Sequence, residues 1–489
     1  MTILNKNIFR KYDIRWIFNK DFDVKSASLI WKAFWTYLFK NSKHKNIKII
    51  IWKDWRNSSD EIEKEFQTWL QSAWVEVTNI WLCASPVFLY SLCKWKFDWW
   101  AMITASHNPA EYNWFKLELK NSKSLYWEEL QKIYEIIKNN EFISCKKSEI
   151  KEIKFESFFP NYLRKIRSIE QKWIEDFNFK KNNKPTIVID WWNWVWWIYA
   201  INIFRFLWYE VEELYCDVDW DFPNHPADPE EEENLEDLKN KVVELKADIW
   251  LAFDWDWDRV WIVDKKWNSY SAEKIMLPLI KMFLSDNYSK SKEEKNKTIV
   301  CDLKTWWIIK EFVEKLWWKY VETAVWHPFL KEKMNHENIL FWWESSWHFY
   351  LADNYFVIDD AFLAAALFLK YFFKRTKKKN ITEYFENFEK ENNLKKYFKY
   401  SEKFNASEEK KFEKIKNIWE IILKNLKKLN ILEKNISNLD WIKIQYDNFT
   451  KIIIRASNTS PKIQFEIESD SEEKISEIKK NFLEELKIF

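Results

Sequence analysis

No glycine occurs among the 489 residues of this chain, while 36 positions carry tryptophan. A chain without glycine has no residue that enters positive φ at no steric cost, so tight turns and helix ends lack the residue they normally need. Soluble proteins carry about 7% Gly and far less Trp, and the tryptophan count here matches an ordinary share of glycine. The tryptophans also stand where backbone geometry calls for glycine. Asn113-Trp114 and Asn193-Trp194 read as Asn-Gly turns, and Lys266-Trp267-Asn268 lies between two apolar runs like a hairpin tip. Trp99-Trp100, Trp191-Trp192, Trp196-Trp197 and Trp342-Trp343 make poor core and worse surface, yet as Gly-Gly pairs they are ordinary loop chemistry. Genuine indoles would serve sugar stacking or a membrane interface, but these follow turn positions and not one helical or strand face. The expectation is that a codon meaning glycine in the source was translated as tryptophan, with room for some true tryptophans among the 36.

The other bounds are quieter. This length suggests three or four domains at about 100–200 residues each. Lys+Arg 78 against Asp+Glu 76 gives a net charge of +2, which makes no electrostatic case for nucleic acid as a partner. Cys83, Cys93, Cys145, Cys216 and Cys301 show no C-x-x-C spacing and are odd in number, which fits a reducing cytosol better than a zinc site or disulfide framework. Met1 to Arg15 lacks an apolar signal core. The longest apolar stretch, Ala361 to Phe373, is interrupted by Lys370 and is too short to span a bilayer. A soluble cytoplasmic protein without a membrane partner is expected.

A strand-then-helix rhythm runs along the chain. Ile47 to Ile51, Thr186 to Asp190 and Thr298 to Asp302 read as strands. Each is followed by a loop, a helix and a further strand, respectively Val75 to Leu82, Val211 to Leu214 and Tyr320 to Thr323. Such alternation predicts three related α/β units with mainly parallel strands, whose functional loops lie at the strands' carboxyl ends. The last part differs. After Lys374-Arg375-Thr376-Lys377-Lys378-Lys379 comes a Lys/Glu-rich helical region, then strands at Trp441 to Tyr446, Lys451 to Ala456 and Lys462 to Ile467, and a final helix from Glu472 to Leu486. It reads as a separate α+β module. The acidic run Asp228 to Glu233 reads as a loop leading into a helix from Leu235 to Leu245.

Four loops carry chemistry. Thr104-Ala105-Ser106-His107-Asn108-Pro109 follows the apolar Met102-Ile103; alone it is an Asn/Ser turn, but with Trp114 as glycine the next turn brings Lys116 back toward Ser106. Asp254-Trp255-Asp256-Trp257-Asp258-Arg259 follows the apolar Ile249 to Phe253. Three carboxylates there can converge on one hard cation, and Mg²⁺ prefers such oxygen ligands. An EF-hand counted from Asp254 fails, since Arg259 and Lys265 stand where glycine and glutamate are needed. A haloacid-dehalogenase-type aspartyl nucleophile is disfavoured by Trp257 in place of Thr or Val. The third loop is Trp343-Glu344-Ser345-Ser346-Trp347-His348. The fourth, Arg455-Ala456-Ser457-Asn458-Thr459-Ser460-Pro461, presents a guanidinium fork, hydroxyls and an amide, a good phosphate cradle.

In this order and spacing the four motifs resemble the α-D-phosphohexomutase superfamily, most closely its bacterial phosphomannomutase/phosphoglucomutase branch. The resemblance runs from Phe9-Arg10-Lys11-Tyr12-Asp13-Ile14-Arg15-Trp16 through Phe222-Pro223-Asn224-His225-Pro226-Ala227-Asp228-Pro229 to the phosphate cradle. Every motif glycine of the family is tryptophan here. The resemblance implies three mixed-sheet α/β domains and a C-terminal α+β domain around a central cleft. The expected bounds are 1–152 with the phosphoserine loop, 153–263 with the metal loop, 264–376 with the sugar loop and 377–489 with the phosphate loop.

It also implies roles. Ser106 resembles the phosphoserine, which helps to bind Mg²⁺ with Asp254, Asp256 and Asp258. Arg15 and Lys116 approach it, Tyr12 belongs to the entrance loop, and Arg259 is a phosphate or substrate contact. Glu344 and Ser346 resemble the pair that holds the sugar hydroxyls, with His348 near them. Lys304 and His327 lie in further substrate-binding segments, and Arg455, Ser457, Asn458 and Thr459 resemble the site for the phosphate that is not transferred. Lys116 and His327 are the candidates for general acid and base. The implied activity is interconversion of hexose 1-phosphate and hexose 6-phosphate, of mannose or glucose, through hexose 1,6-bisphosphate, by a monomer or dimer. The rivals are phosphoglucosamine mutase, whose branch usually resembles Arg-Pro-Ser-Gly-Thr-Glu at the fourth loop, a metal-dependent sugar phosphatase, and a non-catalytic phosphosugar-binding paralogue.

Overall fold

The computed structural model describes residues 4–485 apart from 10–13, 18–19, 21–22, 42–46, 54–57, 71–74, 80–82, 105–111, 120–122, 126, 144–149, 153–156, 175–176, 178–183, 191–196, 215–243, 245–246, 254–256, 265–267, 271, 287–295, 326–332, 335–338, 345–347, 353–354, 377–379, 408–409, 439–441 and 458–461. The chain divides into two compact units, Met1–Ser271 with Trp347–Ile381, and Ala272–Ser346 with Thr382–Phe489. The helix expected at Leu235 to Leu245 lies almost wholly outside the described residues.

In the first unit, the β-branched run Ile47–Lys53 is a buried strand parallel to Val75–Asn79 and to Trp99–Thr104. Burial on both faces is what such a near-continuous apolar run requires. Tyr112–Leu119 pairs antiparallel with Trp99–Thr104 on one side and with Ile14–Ile17 on the other, so the sheet is mixed. The amphipathic helices Val24–Asn41 and Trp127–Lys138 bury Trp31, Phe34, Leu38, Leu130 and Ile133 in its core. A second sheet joins Thr186–Asp190 in parallel to Glu210–Leu214 and Ile249–Phe253, the latter turning back antiparallel into Val260–Val263. The apolar run beginning at Ala361 is a helix, Ala361–Arg375, with residues 361–373 buried. Its Lys370 lies 3.2 Å from Glu170 of the helix Phe159–Trp173, pairing two charges that neither helix could bury alone.

In the second unit, Asn296–Asp302 lies parallel to both Lys319–Thr323 and Ile339–Glu344. The last sheet is antiparallel throughout: Phe398–Asn405, Lys462–Ser469, Lys451–Ala456, Ile442–Gln445 and Ile436–Ser437, in that order. Ile444, Ile452, Ile454, Phe465 and Ile467 form its core with Ile415, Ile418 and Ile422 of the helix Lys411–Lys424. The final helix, expected through Leu486, runs over Glu472–Lys479 and continues as a π-turn at Lys480–Glu485. Among the described residues, no helix is long and apolar enough to cross a membrane.

Seven described residues have positive φ: Lys96, Asn140, Trp208, Trp257, Trp317, Asn393 and Asn430. All but Trp257 end helices or, at Asn430, a helical turn, and the next N–H reaches back five residues, as Tyr209 N does to Phe204 O at 3.0 Å and Trp318 N to Val313 O at 3.2 Å. Glycine, and after it asparagine, is the residue for that position. Asparagine holds three of these ends, whereas at Trp208 and Trp317, with φ 75° and 63°, a bulky side chain sits on a backbone suited to glycine. The Trp317 side chain is 93% exposed. The indole Nε1 atoms of Trp52, Trp100 and Trp250 are buried without a hydrogen-bond partner, a cost glycine would not bring.

Candidate active site

The loop of Ser106 joins Trp99–Thr104 to Tyr112–Leu119, and Ser106 itself lies outside the described residues. Its surroundings are set by register. Thr104 pairs with Trp114, which pairs on its other side with Arg15, so one row across three strands places positions 104, 114 and 15 at the mouth of this loop. Lys116 is half-buried opposite Met102, one side-chain repeat further into the sheet. The buried Asn113 amide donates to Ser58 Oγ at 3.0 Å and Ser59 Oγ at 3.1 Å, tying the hairpin to the start of the helix Ser59–Leu70. Tyr12 lies outside the described residues.

Asp254 and Asp256 also lie outside them, whereas Trp257, Asp258 and Arg259 are described. Trp257 has φ 66° and packs against Phe253 and Phe362, with ring centroids 5.0 and 5.3 Å away. Asp258 and Arg259 close the turn from Ile249–Phe253 into Val260–Val263. Arg259 pairs with His348 in an antiparallel bridge, and Tyr350 pairs with Asp359 in another, which draws three chain segments together. His348 Nδ1 consequently lies 3.2 Å from Asp359 Oδ2 and 3.6 Å from Asp258 Oδ2. Arg259 Nε is 3.7 Å from Asp258 Oδ1. Asp258, His348 and Asp359 are all buried, and they offer ligand atoms within 4.8 Å of one another.

No sequence motif marks Asp359. Asp359-Asp360 precedes an apolar helix and looks like a cap, which Asp360 indeed is: its Oδ1 accepts from Leu363 N at 2.8 Å. Tyr162 and Tyr355 donate their hydroxyls to the same carboxylate, at 2.9 and 2.5 Å. Burial pushes the Asp360 carboxyl up to about 6, against the pull of these hydrogen bonds. One cap needs one acid, and the second acid of the pair was the available signal.

As donors, Asp258 and Asp359 supply hard carboxylate oxygens that suit Mg²⁺, whereas the His348 imidazole suits softer metals. Asp258, with the neighbouring acids of its loop, therefore fits the expected cation. His348 with Asp359 has the form of an oriented imidazole beside it.

In the second unit, Asp302 ends one strand, with Thr323 its parallel partner on one side and Glu344 closing the neighbouring strand on the other. The segments holding Lys304, His327 and Glu344 thus all leave one sheet at the carboxyl ends of its strands. His327 and Ser346 lie outside the described residues. Arg455 is buried near the end of Lys451–Ala456 and donates to Gln464 Oε1 at 3.4 Å. Ser457 N donates to Lys462 O at 2.8 Å, closing the hairpin loop that carries Asn458 and Thr459, which lie outside the described residues. The Lys411 ammonium anchors this loop through Ser457 O at 2.8 Å.

Carboxylates gathered at a strand's carboxyl end, and separately an Arg/Ser hairpin, supply residue types that suit an enzyme handling phosphate. The phosphoglucomutase/phosphomannomutase alpha/beta/alpha domains I, II and III match residues 6–144, 160–267 and 275–391. The chain belongs to this family, the α-D-phosphohexomutases, which are isomerases acting by intramolecular phosphate transfer. A phosphomannomutase/phosphoglucomutase of Pseudomonas aeruginosa PAO1 is 27% identical over 484 residues, covering 99% of this chain and 96% of that protein. A phosphomannomutase of Methanocaldococcus jannaschii is 28% identical over 485 residues, covering 96% of each. The crystal structure of a phosphoglucomutase/phosphomannomutase family protein from Burkholderia thailandensis superposes with a TM-score of 0.80 at 22% identity, over 99% of this chain and 98% of the other.

Proposed function

We propose that this enzyme interconverts the 1- and 6-phosphates of mannose and glucose through a phosphoserine at Ser106 and a hexose 1,6-bisphosphate. The observation that carries the reading is the buried Asp258–His348–Asp359 group at the end of Ile249–Phe253, in a chain that matches the mutases along nearly its whole length. Ser106 Oγ gives its phosphoryl group to the free hydroxyl of a hexose monophosphate. The bisphosphate turns over, and its other phosphate returns to Ser106. Transfer of this kind rests on positioning and charge neutralisation. A divalent cation, Mg²⁺ by the donor chemistry, would be held by Asp254, Asp256, Asp258 and the phosphoserine and would neutralise phosphoryl oxygens. With Asp359 beside Nδ1, His348 carries its basic lone pair on Nε2, and this atom, in place of the Lys116 and His327 expected from the sequence, is assigned to take the proton of the attacking hydroxyl. Arg15, Lys116 and Arg259 balance phosphate charge; Tyr12, Lys304, His327, Glu344 and Ser346 meet the sugar; Arg455, Ser457, Asn458 and Thr459 seat the resting phosphate.

The reading includes glycine in the working enzyme at the recoded positions, supported by φ 66° at Trp257 inside the aspartate loop. The test is Ser106→Ala in glycine-bearing protein incubated with glucose 1,6-bisphosphate. Intact mass should show one added phosphate on the parent and none on the variant, whose mutase turnover should be lost. Normal turnover by Ser106→Ala would sink the phosphoserine mechanism.

A further inference from the structure

The last sheet meets the loop after Asn296–Asp302 along one face. Lys451 pairs with Glu468, Ile453 with Glu466 and Arg455 with Gln464, and alternate residues of a strand share a face. One stripe therefore runs from Lys451/Glu468 to Arg455, next to the phosphate hairpin. At its first end the Lys451 ammonium donates to Leu303 O at 3.3 Å and to Thr305 O, while Glu468 accepts the Trp307 N–H at 2.5 Å. In the middle, Ile453 packs with Leu303 and Val325. Lys304 Nζ lies 3.3 Å from Glu466 Oε1, and Lys399 Nζ lies 3.3 Å from Glu466 Oε2. Burial alone would raise the Glu466 carboxyl, but the two ammoniums overcome it and hold it down at about 2.

Two ammoniums, Lys304 and Lys399, share the single carboxylate of Glu466, while Lys451 pairs with Glu468. One of the two can therefore pass to a phosphate without stranding Glu466. Lys451 is 3% exposed and is tied to two carbonyls and Glu468. Lys399 shares a sheet with Glu466, so it stays beside that carboxylate whatever the loop does. Lys304 is 21% exposed and comes from the loop. Breaking an ion pair costs little when the carboxylate keeps a second cation, whereas stripping a buried carboxylate of its last partner is costly. Lys399 removes that cost.

We propose that Lys304 is an exchangeable cation: Glu466 holds it in the absence of substrate, and it passes to the phosphosugar when the phosphate seats at Arg455 and Ser457. Glu466 is then a positioning residue that competes with substrate, and binding loosens one of the contacts between the last sheet and the 303–307 loop. The proposal rests on the assignment of Lys304 and Arg455 to substrate given above.

The test uses Glu466→Gln, Lys304→Ala and the double variant of glycine-bearing enzyme, reading kcat and KM for glucose 1-phosphate. Glu466→Gln should lower KM about 2- to 5-fold, the size of a partly exposed ion pair. Lys304→Ala should raise KM, and the double variant should behave like Lys304→Ala. If Glu466→Gln proves poorly folded, Glu466→Asp, one methylene short of Lys304, should shift KM in the same direction. A KM unchanged or raised by loss of Glu466, with Lys304→Ala still raising it, overturns the exchange. A KM unchanged by Lys304→Ala overturns the substrate role of Lys304, and the exchange with it.

Discussion

Two buried charged clusters in this molecule have opposite compositions. Asp258, His348 and Asp359 present two carboxylates and an imidazole, while Lys304, Lys399 and Glu466 present two ammoniums on one carboxylate. The first gathers carboxylate and imidazole donors; the second shares one carboxylate between two cations. They differ also in their backbone. The acidic cluster follows a turn through Trp257 at φ 66°, whereas the strands Lys451–Ala456 and Lys462–Ser469 and the hairpin between them contain no tryptophan. The difference teaches that a sharp turn around a small site calls for the backbone freedom of glycine, whereas a regular ladder of strands does not.

The largest expected effect breaks the acidic cluster. In glycine-bearing enzyme, His348→Ala should lower kcat by about 10²- to 10⁴-fold with little change in KM, the range for a general base. Asp359→Asn should lower it less, since the imidazole loses its orienting carboxylate. If both variants kept full kcat, the cluster would be structural only. A smaller effect sharpens the backbone contrast. Trp317→Gly should stabilise the protein by about 1 kcal/mol by relieving a helix end at positive φ. Trp419→Gly should destabilise it by about 1 kcal/mol or more, because that residue is inside the helix Lys411–Lys424 and packs on the last core. Denaturant melts of the two variants check the signs. Equal signs would remove the basis for assigning glycine by backbone geometry.

Much of the framework was legible because β-branched runs such as Ile47–Lys53 and Lys451–Ala456 have one reading. The strands Thr186–Asp190 and Asn296–Asp302 appear within two residues of expectation, and helices follow each of them at Trp197–Phe206 and Trp307–Lys315. The Asp258 loop was legible as a carboxylate motif. Its partnership with His348 and Asp359 was not, because two isolated bridges nearly a hundred residues away in sequence create it. The same holds for Glu466. It alternates with Gln464 and Glu468 like any solvated strand face, and its partnership with Lys304 comes from a loop more than 150 residues earlier in the sequence.

The central claim is transfer of phosphate within one hexose. Glycine-bearing protein should be given mannose 1-phosphate, Mg²⁺ and a trace of hexose 1,6-bisphosphate, and the phosphorus NMR spectrum followed with time. The account predicts growth of the 6-phosphate at the expense of the 1-phosphate, with no inorganic phosphate. Inorganic phosphate as the main product, or a 1-phosphate signal that never changes for either mannose or glucose, would contradict it.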